Sequence, residues 1–229
     1  MPVLRFKTLR EEVVDVLRMK ILDGTLKPGA RIVEQEVAAD LGISRGPIRE
    51  SLRQLEQEGL IEYTRNVGCS VKEIGDQDIY EIYLLRATYE ILAVKLCQGQ
   101  FTQEALTAMK KVLEQMKGLE EEDFHTSIDY DNSFHAAIIH LPGLPRLSAA
   151  WTALNSGNII TYYAGSADHA AAVKRQYPIH AALYEACCTK DMQGICDAIM
   201  DHYMLTIRRR MAERGISETA PNYAVTIRL

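Results

Sequence analysis

Residues 41–52 read LGISRGPIRESL, and this stretch decides the fold of the N-terminal part of the 229-residue chain. Ser44 is a good helix N-cap because its hydroxyl can accept a hydrogen bond from the first-turn amides. Gly59 can adopt the left-handed conformation that often ends a helix. The stretch therefore predicts a helix that begins at Ser44 and runs to Glu58.

Two stripes run along this predicted helix. Successive residues are rotated by about 100° around the axis, so residues three or four apart share a face. The basic stripe consists of Arg45, Arg49 and Arg53. The neighbouring apolar stripe consists of Ile48, Leu52 and Leu55. We expect the apolar stripe to face a core and the arginines to face outward.

A second helix precedes this one at the distance that a helix-turn-helix requires. Apolar positions predict a short helix over residues 33–41. Two helices held at a fixed angle need a small residue at their contact and a tight turn between them. Ala38 is small, Gly42 permits the turn, and Ile48 can fill the core from the second helix. The spacing of these three residues is typical of the motif.

The flanking segments complete a small domain. Thr8 and Glu11 fit a capping box, and apolar residues then follow helical spacing as far as Gly24. Residues 60–73 alternate as strands do, with a bend at residues 66–68. Three helices followed by a β-hairpin predict a winged helix-turn-helix over residues 1–75.

Arginines early on the second helix of such a motif point to DNA binding. A guanidinium can bind a guanine edge with two hydrogen bonds in the major groove. Ser44 and the first-turn amides can hold a phosphate at the positive helix end. The alternative is an amphipathic helix whose arginines are only solvated. The preceding helix, the spacing of the motif and the hairpin together favour DNA binding.

This part of the chain resembles a known family. Residues 41–52, followed by Leu55 and residues 58–61, are closely similar to the signature of the GntR family of bacterial regulators. The resemblance covers about residues 8–73. It implies that the early arginines of the helix read DNA and that the hairpin tip, residues 65–68, enters the minor groove.

The predicted DNA contacts combine the helix pattern with this resemblance. They are Ser44, Arg45, Gly46, Arg49, Arg53, Arg65, Asn66 and Gly68. Two positions depart from the family. Gly46 stands where many members have threonine, and Gln35 stands where some relatives carry an arginine that touches DNA.

From residue 76 onward the pattern changes to helices alone. Apolar spacing predicts helices over residues 76–98, 102–119, 123–140, 145–164, 168–189 and 191–214. Residues 216–229 lack helical periodicity and are expected to form a tail. The predicted fold class is therefore mainly α, with the winged helix-turn-helix followed by an all-α helical bundle over residues 76–215.

Four metal-ligating side chains stand out in this bundle. Asp131 and His135 are four residues apart and share a helical face. His180 and His202 belong to two later predicted helices. A bundle can bring such residues together, and three imidazoles with a carboxylate suit zinc or a neighbouring transition metal. Spacing alone leaves the alternative open, because such pairs arise by chance and single histidines are often structural.

Residues 76–212 resemble the C-terminal domain of the FadR subfamily, usually called the FCD domain. The residues that carry the resemblance are Arg86, Glu90, Asp131, Phe134, His135, His180, Asp191 and His202. In metal-containing members the aspartate and histidine positions are the ligands. The resemblance thus implies a divalent transition metal on Asp131, His135, His180 and His202, with zinc expected and nickel or manganese as alternatives.

Other positions bear on this implied site. Where the family often has a glutamate before the third ligand, this chain has Tyr177-Pro178-Ile179, and we expect Pro178 to start or kink its helix. His125, His140 and His169 match no ligand position.

Together the two halves predict a DNA-binding transcription regulator, not an enzyme, that senses a small organic or sugar acid. A metal with open coordination positions can hold a carboxylate. Arg86 is a candidate second anchor for the effector, and a helical pair with Glu90 is an equally good interpretation of it. Symmetric DNA half-sites require a symmetric protein, so we expect a homodimer.

Two alternatives to a metal-dependent sensor remain open. A histidine-carboxylate metal site can activate water, which would make the protein a hydrolase-like enzyme. Against this, the sequence offers no general base beside the ligands and no nucleophile motif, and the DNA-binding half would be unexplained. In the other alternative the metal is only structural, or is itself the signal.

Composition fits a cytoplasmic regulator. The net charge is −5, yet residues 1–75 carry 12 basic and 12 acidic side chains, so DNA binding has to rest on the local cations of residues 44–53. Five cysteines without a CxxC pair indicate reduced thiols. The N-terminus does not resemble a targeting signal, and no apolar run reaches the roughly 18 residues that span a bilayer. We therefore expect a soluble cytoplasmic protein with no membrane partner.

Overall fold

The computed structural model describes residues 7–22, 24–65, 67–73, 75–154 and 169–213. The chain divides into two compact units, Met1–Gly75 and Asp76–Leu229. The first unit combines helices with a small sheet and the second is helical in its described residues, which confirms the predicted fold class. The predicted C-terminal tail, residues 216–229, and Asn66 lie outside the described residues.

The first unit has the architecture of a winged helix-turn-helix. Its described elements are α1 (Leu9–Leu22), β1 (Arg31–Ile32), α2 (Glu34–Leu41), α3 (Arg45–Gln57), β2 (Ile61–Thr64) and β3 (Gly68–Val71). The predicted capping box opens α1. The Thr8 N–H donates to a Glu11 carboxylate oxygen at 2.6 Å, and the Glu11 N–H donates to Thr8 Oγ1 at 3.3 Å.

Helix α3 is held by its apolar stripe. Ile48, Leu52 and Leu55 are fully buried, and α3 packs against α1 and α2. Burial of one such side chain contributes about 1.5–3 kcal/mol. Gly42 ends α2 at a φ of 66°, a left-handed value that glycine adopts without steric cost. The tight turn at this glycine leads into Ser44, the N-cap of α3.

The sheet that forms the wing has three strands in the order β1-β3-β2, and both pairs are antiparallel. In the predicted hairpin, Ile61 pairs with Val71 and Tyr63 pairs with Cys69. Strand β1 was not predicted, because its two residues are too few to show an alternating pattern. It adds to the outer edge of β3, where Ile32 pairs with Cys69.

The second unit is a bundle. Its described helices are α4 (Asp76–Leu96), α5 (Gln103–Lys117), α6 (Phe124–Ile139), α7 (Pro145–Thr152), α8 (His169–Cys188) and α9 (Met192–Glu213). Helices α4, α6, α8 and α9 contact one another in a ring, since α4 packs on α6 and α9, and α8 packs on the same two helices. The interior of this ring holds both apolar and charged residues.

One prediction about these helices was wrong in part. Helix α7 ends at Thr152, whereas the apolar pattern predicted a helix over residues 145–164; residues 155–168 lie outside the described part of the chain. Pro178 lies inside α8 and does not start it. A proline within a helix removes one backbone hydrogen bond. Packing against α5, α6 and α9 stabilises the helix around it.

Among the residues that the structure describes, no helix is both long enough and apolar enough to cross a bilayer.

Candidate functional site

The structure brings the four predicted metal ligands together inside the helical ring. Asp131 and His135 project from α6, His180 from α8 and His202 from α9. One ligand atom from each residue lies within 4.8 Å of the others. Asp131, His135 and His180 are buried, and His202 is partly buried. Three separate helices therefore converge on one point.

The distances between these atoms fit a shared ion. His135 Nε2 lies 3.0 Å from His202 Nε2, and His180 Nε2 lies 3.2 Å from Asp131 Oδ1. Nitrogen and oxygen ligands at about 2.1 Å from one ion lie about 3.0–3.4 Å apart when they are neighbours. His135 Nε2 and Asp131 Oδ1 are 3.9 Å apart, within the reach of the same ion. The four side chains thus fit a metal ion if the two ligand atoms that lie furthest apart move slightly closer together.

The protonation states of the cluster also suit metal binding. Burial, reinforced by the neighbouring His180 and His135, holds the pKa of His202 well below its ordinary value, so its imidazole is neutral. Burial alone would raise the pKa of Asp131. The adjacent His180 and His135, together with the charge of Arg86, outweigh burial and lower that pKa far below the usual range. Neutral imidazole and ionised carboxylate are the ligating forms.

Glu90 of α4 fixes the orientation of His135. Its fully buried carboxylate accepts hydrogen bonds from His135 Nδ1 at 2.8 Å, Trp151 Nε1 at 2.9 Å and the Tyr203 hydroxyl at 2.5 Å. An ionised carboxylate only accepts, so the proton of His135 lies on Nδ1. Its Nε2 lone pair then faces the cluster, as ligation requires.

The other two histidines are supported differently. His180 Nδ1 donates to the backbone carbonyl of Gln176, one turn earlier on α8, at 2.8 Å. His202 Nδ1 has no hydrogen-bond partner among the described residues. Of the three imidazoles, His135 is therefore the one whose orientation depends on a buried carboxylate.

Arg86 places a positive charge beside the cluster. Its guanidinium is fully buried and lies over the Trp151 ring, with Cζ 4.3 Å from the ring centroid. It donates to the Tyr203 hydroxyl at 3.1 Å and to Asn132 Oδ1 at 3.2 Å, and its Nη2 is 3.6 Å from Asp131 Oδ2. A buried positive charge therefore lies beside the four candidate metal ligands.

Sequence reasoning used Glu90 as part of the FCD resemblance and as a helical partner of Arg86, and it missed the contact of Glu90 with His135. The available signal was a pair of charged residues, one turn apart, on an otherwise buried face of α4. Ile79, Ala87, Ile91 and Val94 are buried on that helix. His169, which matches no ligand position, stacks on Phe124 with ring centroids 3.9 Å apart.

The predicted DNA contacts on α3 are exposed. Arg45, Arg49 and Arg53 keep 59%, 51% and 63% of their side chains exposed. Ser44 caps α3 in an extended conformation, and its side chain makes no capping hydrogen bond. A Cβ on Gly46 would meet no atom within 4 Å, so the backbone there is openly accessible. This arrangement leaves cations and first-turn amides available to a phosphate backbone.

Glu34, the first residue of α2, holds two of these arginines. Its carboxylate accepts from Arg49 Nε at 3.3 Å and Arg49 Nη2 at 3.2 Å, and from Arg45 Nη2 at 3.3 Å. The hydrogen bonds from Arg49, followed by those from Arg45, lower the pKa of Glu34 despite its partial burial. Sequence reasoning missed this residue, because a glutamate in a first helical turn is common.

The wing carries the remaining predicted contacts. Arg65 is exposed and directly follows β2. Gly68 opens β3 at a φ of 106°, a backbone conformation that side chains rarely adopt. The predicted contact at Asn66 lies outside the described residues.

Both units are similar to known protein families. Residues 9–71 match the family described as bacterial regulatory proteins, gntR family, and residues 81–204 match the FCD domain. The HTH-type transcriptional regulator YdhC of Bacillus subtilis (strain 168) is 41% identical over 99 residues, covering 43% of this chain and 44% of YdhC. A probable D-xylose utilization operon transcriptional repressor of Paenarthrobacter nicotinovorans is 31% identical over 153 residues, covering 64% and 65%.

These matched segments span less than two thirds of each relative's length. The solved structure of E. coli McbR/YncC superposes with a TM-score of 0.64 and 23% identity, over 90% of this chain and 99% of that one. At this level of identity the superposition establishes a shared fold.

Proposed function

We propose that this chain binds operator DNA under the control of a small carboxylate. The premise is that the chain belongs to the gntR family of bacterial regulatory proteins and carries an FCD domain. The matching families and the named relatives are regulators rather than enzymes, which decides against the hydrolase alternative. The convergence of four ligands within 4.8 Å in the second unit carries the proposal.

DNA binding is assigned to the first unit. Arg45 and Arg49 lie in the first turns of α3, where a helix in the major groove reaches base edges. Arg53 and the Ser44 end of α3 contact phosphates, which position the protein without reading sequence. Gly46 permits close approach of the backbone to DNA. In the wing, Arg65, Asn66 and Gly68 are the proposed contacts with the minor groove.

Metal binding is assigned to Asp131, His135, His180 and His202. Three imidazoles and one carboxylate favour zinc, and nickel or manganese accept the same donors. An ion that kept an open coordination position on these four ligands would supply a Lewis acid able to hold a carboxylate. Glu90 orients His135, and His180 is oriented by the carbonyl of Gln176.

The effector is a small organic or sugar acid. A buried guanidinium at Arg86, 3.6 Å from Asp131 Oδ2, lies close enough to the ligand cluster to attract the same anion. One relative is named for a D-xylose utilization operon, which supports control of carbon metabolism by a sugar-derived compound.

Effector binding acts through a homodimer. Symmetric half-sites on DNA need two copies of α3 at a fixed separation. An effector that prefers one dimer geometry shifts the population toward it and so changes operator affinity. Sedimentation of the 25.8 kDa chain at micromolar concentration should give a dimer, and a strict monomer both free and on DNA would contradict this part.

A ligand screen tests the proposal. Metal-loaded protein is heated with a panel of organic and sugar acids, because a ligand that binds only the folded state raises the midpoint of unfolding. We expect at least one acid to stabilise the metal-loaded protein saturably and without turnover. Turnover of the acid would restore the hydrolase alternative. Absence of any stabilisation would confine the metal to a structural role.

A further inference from the structure

Glu34 occupies a position between the two arginines at the start of α3. It belongs to α2, so the contact joins the two helices of the helix-turn-helix. Only 20% of its side chain is exposed, whereas Arg45 and Arg49 remain more than half exposed. The carboxylate therefore lies behind the arginines and not in front of them.

Within the part of the chain that the structure describes, Arg49 forms hydrogen bonds through one edge of its guanidinium only. A guanidinium has five N–H donors, arranged as a planar fork. Arg49 uses Nε and one Nη2 hydrogen toward Glu34. The remaining donors on Nη1 and Nη2 form the edge that matches the O6 and N7 acceptors of guanine. Binding to Glu34 and binding to a guanine are thus compatible in one guanidinium orientation.

We infer that Glu34 is a positioning residue that sets the DNA sequence specificity of Arg49. The inference rests on the proposed DNA-binding function of α3. A free arginine side chain samples many rotamers and loses that freedom on binding. Glu34 restricts the guanidinium before DNA arrives, so that its free edge is presented to one base. The single hydrogen bond to Arg45 restrains the neighbouring side chain in the same way.

The same carboxylate should weaken binding to DNA irrespective of its sequence. A negative charge near the phosphate backbone opposes binding of any sequence. Glu34 should therefore weaken non-specific binding while it strengthens discrimination between sequences. A residue that only joined α2 to α3 would not produce this combination, and exposed ion pairs of this kind contribute little to folding stability.

The chain offers a matched control for charge. Glu36 lies in the same first turn of α2, is exposed, and makes no ion pair with another residue that the structure describes. Glu36→Gln removes one negative charge from nearly the same place without releasing an arginine. Glu34→Asp retains the charge but shortens the side chain by one methylene, which tests geometry separately from charge.

The experiment measures two affinities for each full-length variant. A preferred duplex is first selected from a random library with the parent protein. Binding to that duplex and to a scrambled duplex of equal composition is then titrated at one salt concentration. Circular dichroism checks that each variant is folded. The readout is the ratio of the two affinities, because one bidentate base contact discriminates about five- to 150-fold.

We expect Glu34→Gln to bind the scrambled duplex more tightly and to lose at least about fivefold of the ratio. Glu36→Gln should tighten both complexes and keep the ratio of the parent. Glu34→Asp should lower the ratio of the two affinities without binding the scrambled duplex more tightly. In the Arg49→Ala background, Glu34→Gln should change the ratio little. The effects of substitutions at two coupled residues are not additive, and Glu34 is proposed to act through Arg49.

Three results separate the possible failures. An unchanged ratio in both Glu34 variants overturns the positioning role. An equal loss of ratio with and without Arg49 also overturns it, since Glu34 then acts elsewhere. If Arg49→Ala itself keeps the full ratio, the proposed DNA-reading function of α3 fails, whatever Glu34 does.

Discussion

The two candidate sites place their charged groups in opposite environments. On α3, Arg45, Arg49 and Arg53 are more than half exposed, and their partners are exposed or partly exposed carboxylates. In the second unit, Arg86 and Glu90 are fully buried, and their partners Asp131, His135, Trp151 and Tyr203 are buried as well. A surface cation can exchange its partner for DNA at little cost to the fold. A buried charge cannot lose its partner without leaving an unsatisfied group.

This difference predicts how each site responds to substitution. Changes at the exposed site should alter binding and leave stability nearly intact. Changes at the buried site should alter metal binding and stability together. The four predictions below test this contrast, from the largest expected effect to the smallest.

The largest effect is expected for His135→Ala. It removes a metal ligand together with the hydrogen bond to Glu90, so the purified protein should carry markedly less metal and lose its response to the effector. Basal operator binding should survive, because α3 is untouched. Elemental analysis and DNA titration measure both outcomes. His169→Ala, an exposed histidine outside the cluster, is the control; full metal content in His135→Ala would remove the metal assignment.

Glu90→Gln should weaken metal binding by about 10–100-fold without removing any ligand. The amide replaces one of two acceptor oxygens with a donor, so His135, Trp151 and Tyr203 can no longer all be satisfied. Competition with a chromogenic chelator gives the affinity. Glu81→Gln on the exposed face of α4 serves as the control. Equal affinities in the two variants would show that Glu90 does not orient His135.

Arg49→Ala should cost about 1–3 kcal/mol of operator binding if the side chain reads a base. Because Arg49 is exposed, the free energy of unfolding should change by no more than about 0.5 kcal/mol. Fluorescence anisotropy at fixed salt and thermal unfolding measure the two effects. Arg10→Ala, an exposed arginine of α1 outside the predicted contacts, is the control. Operator binding as tight as the parent's would contradict the assignment of α3.

The smallest effect concerns pH and the metal-free protein. The pKa of His202 is held well below 6.5 in the folded state, mainly by burial, and returns to about that value on unfolding. Below this pH the unfolded state binds the extra proton, so the free energy of unfolding falls as pH decreases, by at most about 1.4 kcal/mol per pH unit. Urea titrations above and below pH 6.5 measure the slope, which should be shallower in His202→Gln. An identical slope in that variant would assign the effect to other groups.

Local pattern explains what could be predicted from the sequence. The α3 stripe, the Gly42 turn and the capping box at Thr8 depend on residues close in the chain, and each is seen in the structure. Strand β1 has two residues and no periodicity of its own. The end of α7 at Thr152 carries no glycine or proline signal.

The candidate sites likewise have some features that could be predicted from the sequence and others that could not. Resemblance named the four metal ligands, and the structure brings them together. Their support was not predictable, because Glu90 meets Trp151 and Tyr203, which are 61 and 113 residues away along the chain. Glu34 likewise contacts Arg49 across the turn, 15 residues on. Only the folded structure shows which glutamates form hydrogen bonds with functional side chains.

The measurement closest to the central claim is a DNA titration of metal-loaded protein with and without each acid of the panel. The account predicts that at least one acid changes the dissociation constant for the selected duplex saturably, by about five- to 150-fold. The same acid should have no effect on His135→Ala. An unchanged dissociation constant with every acid, or an undiminished response in His135→Ala, would contradict control of DNA binding from the metal centre.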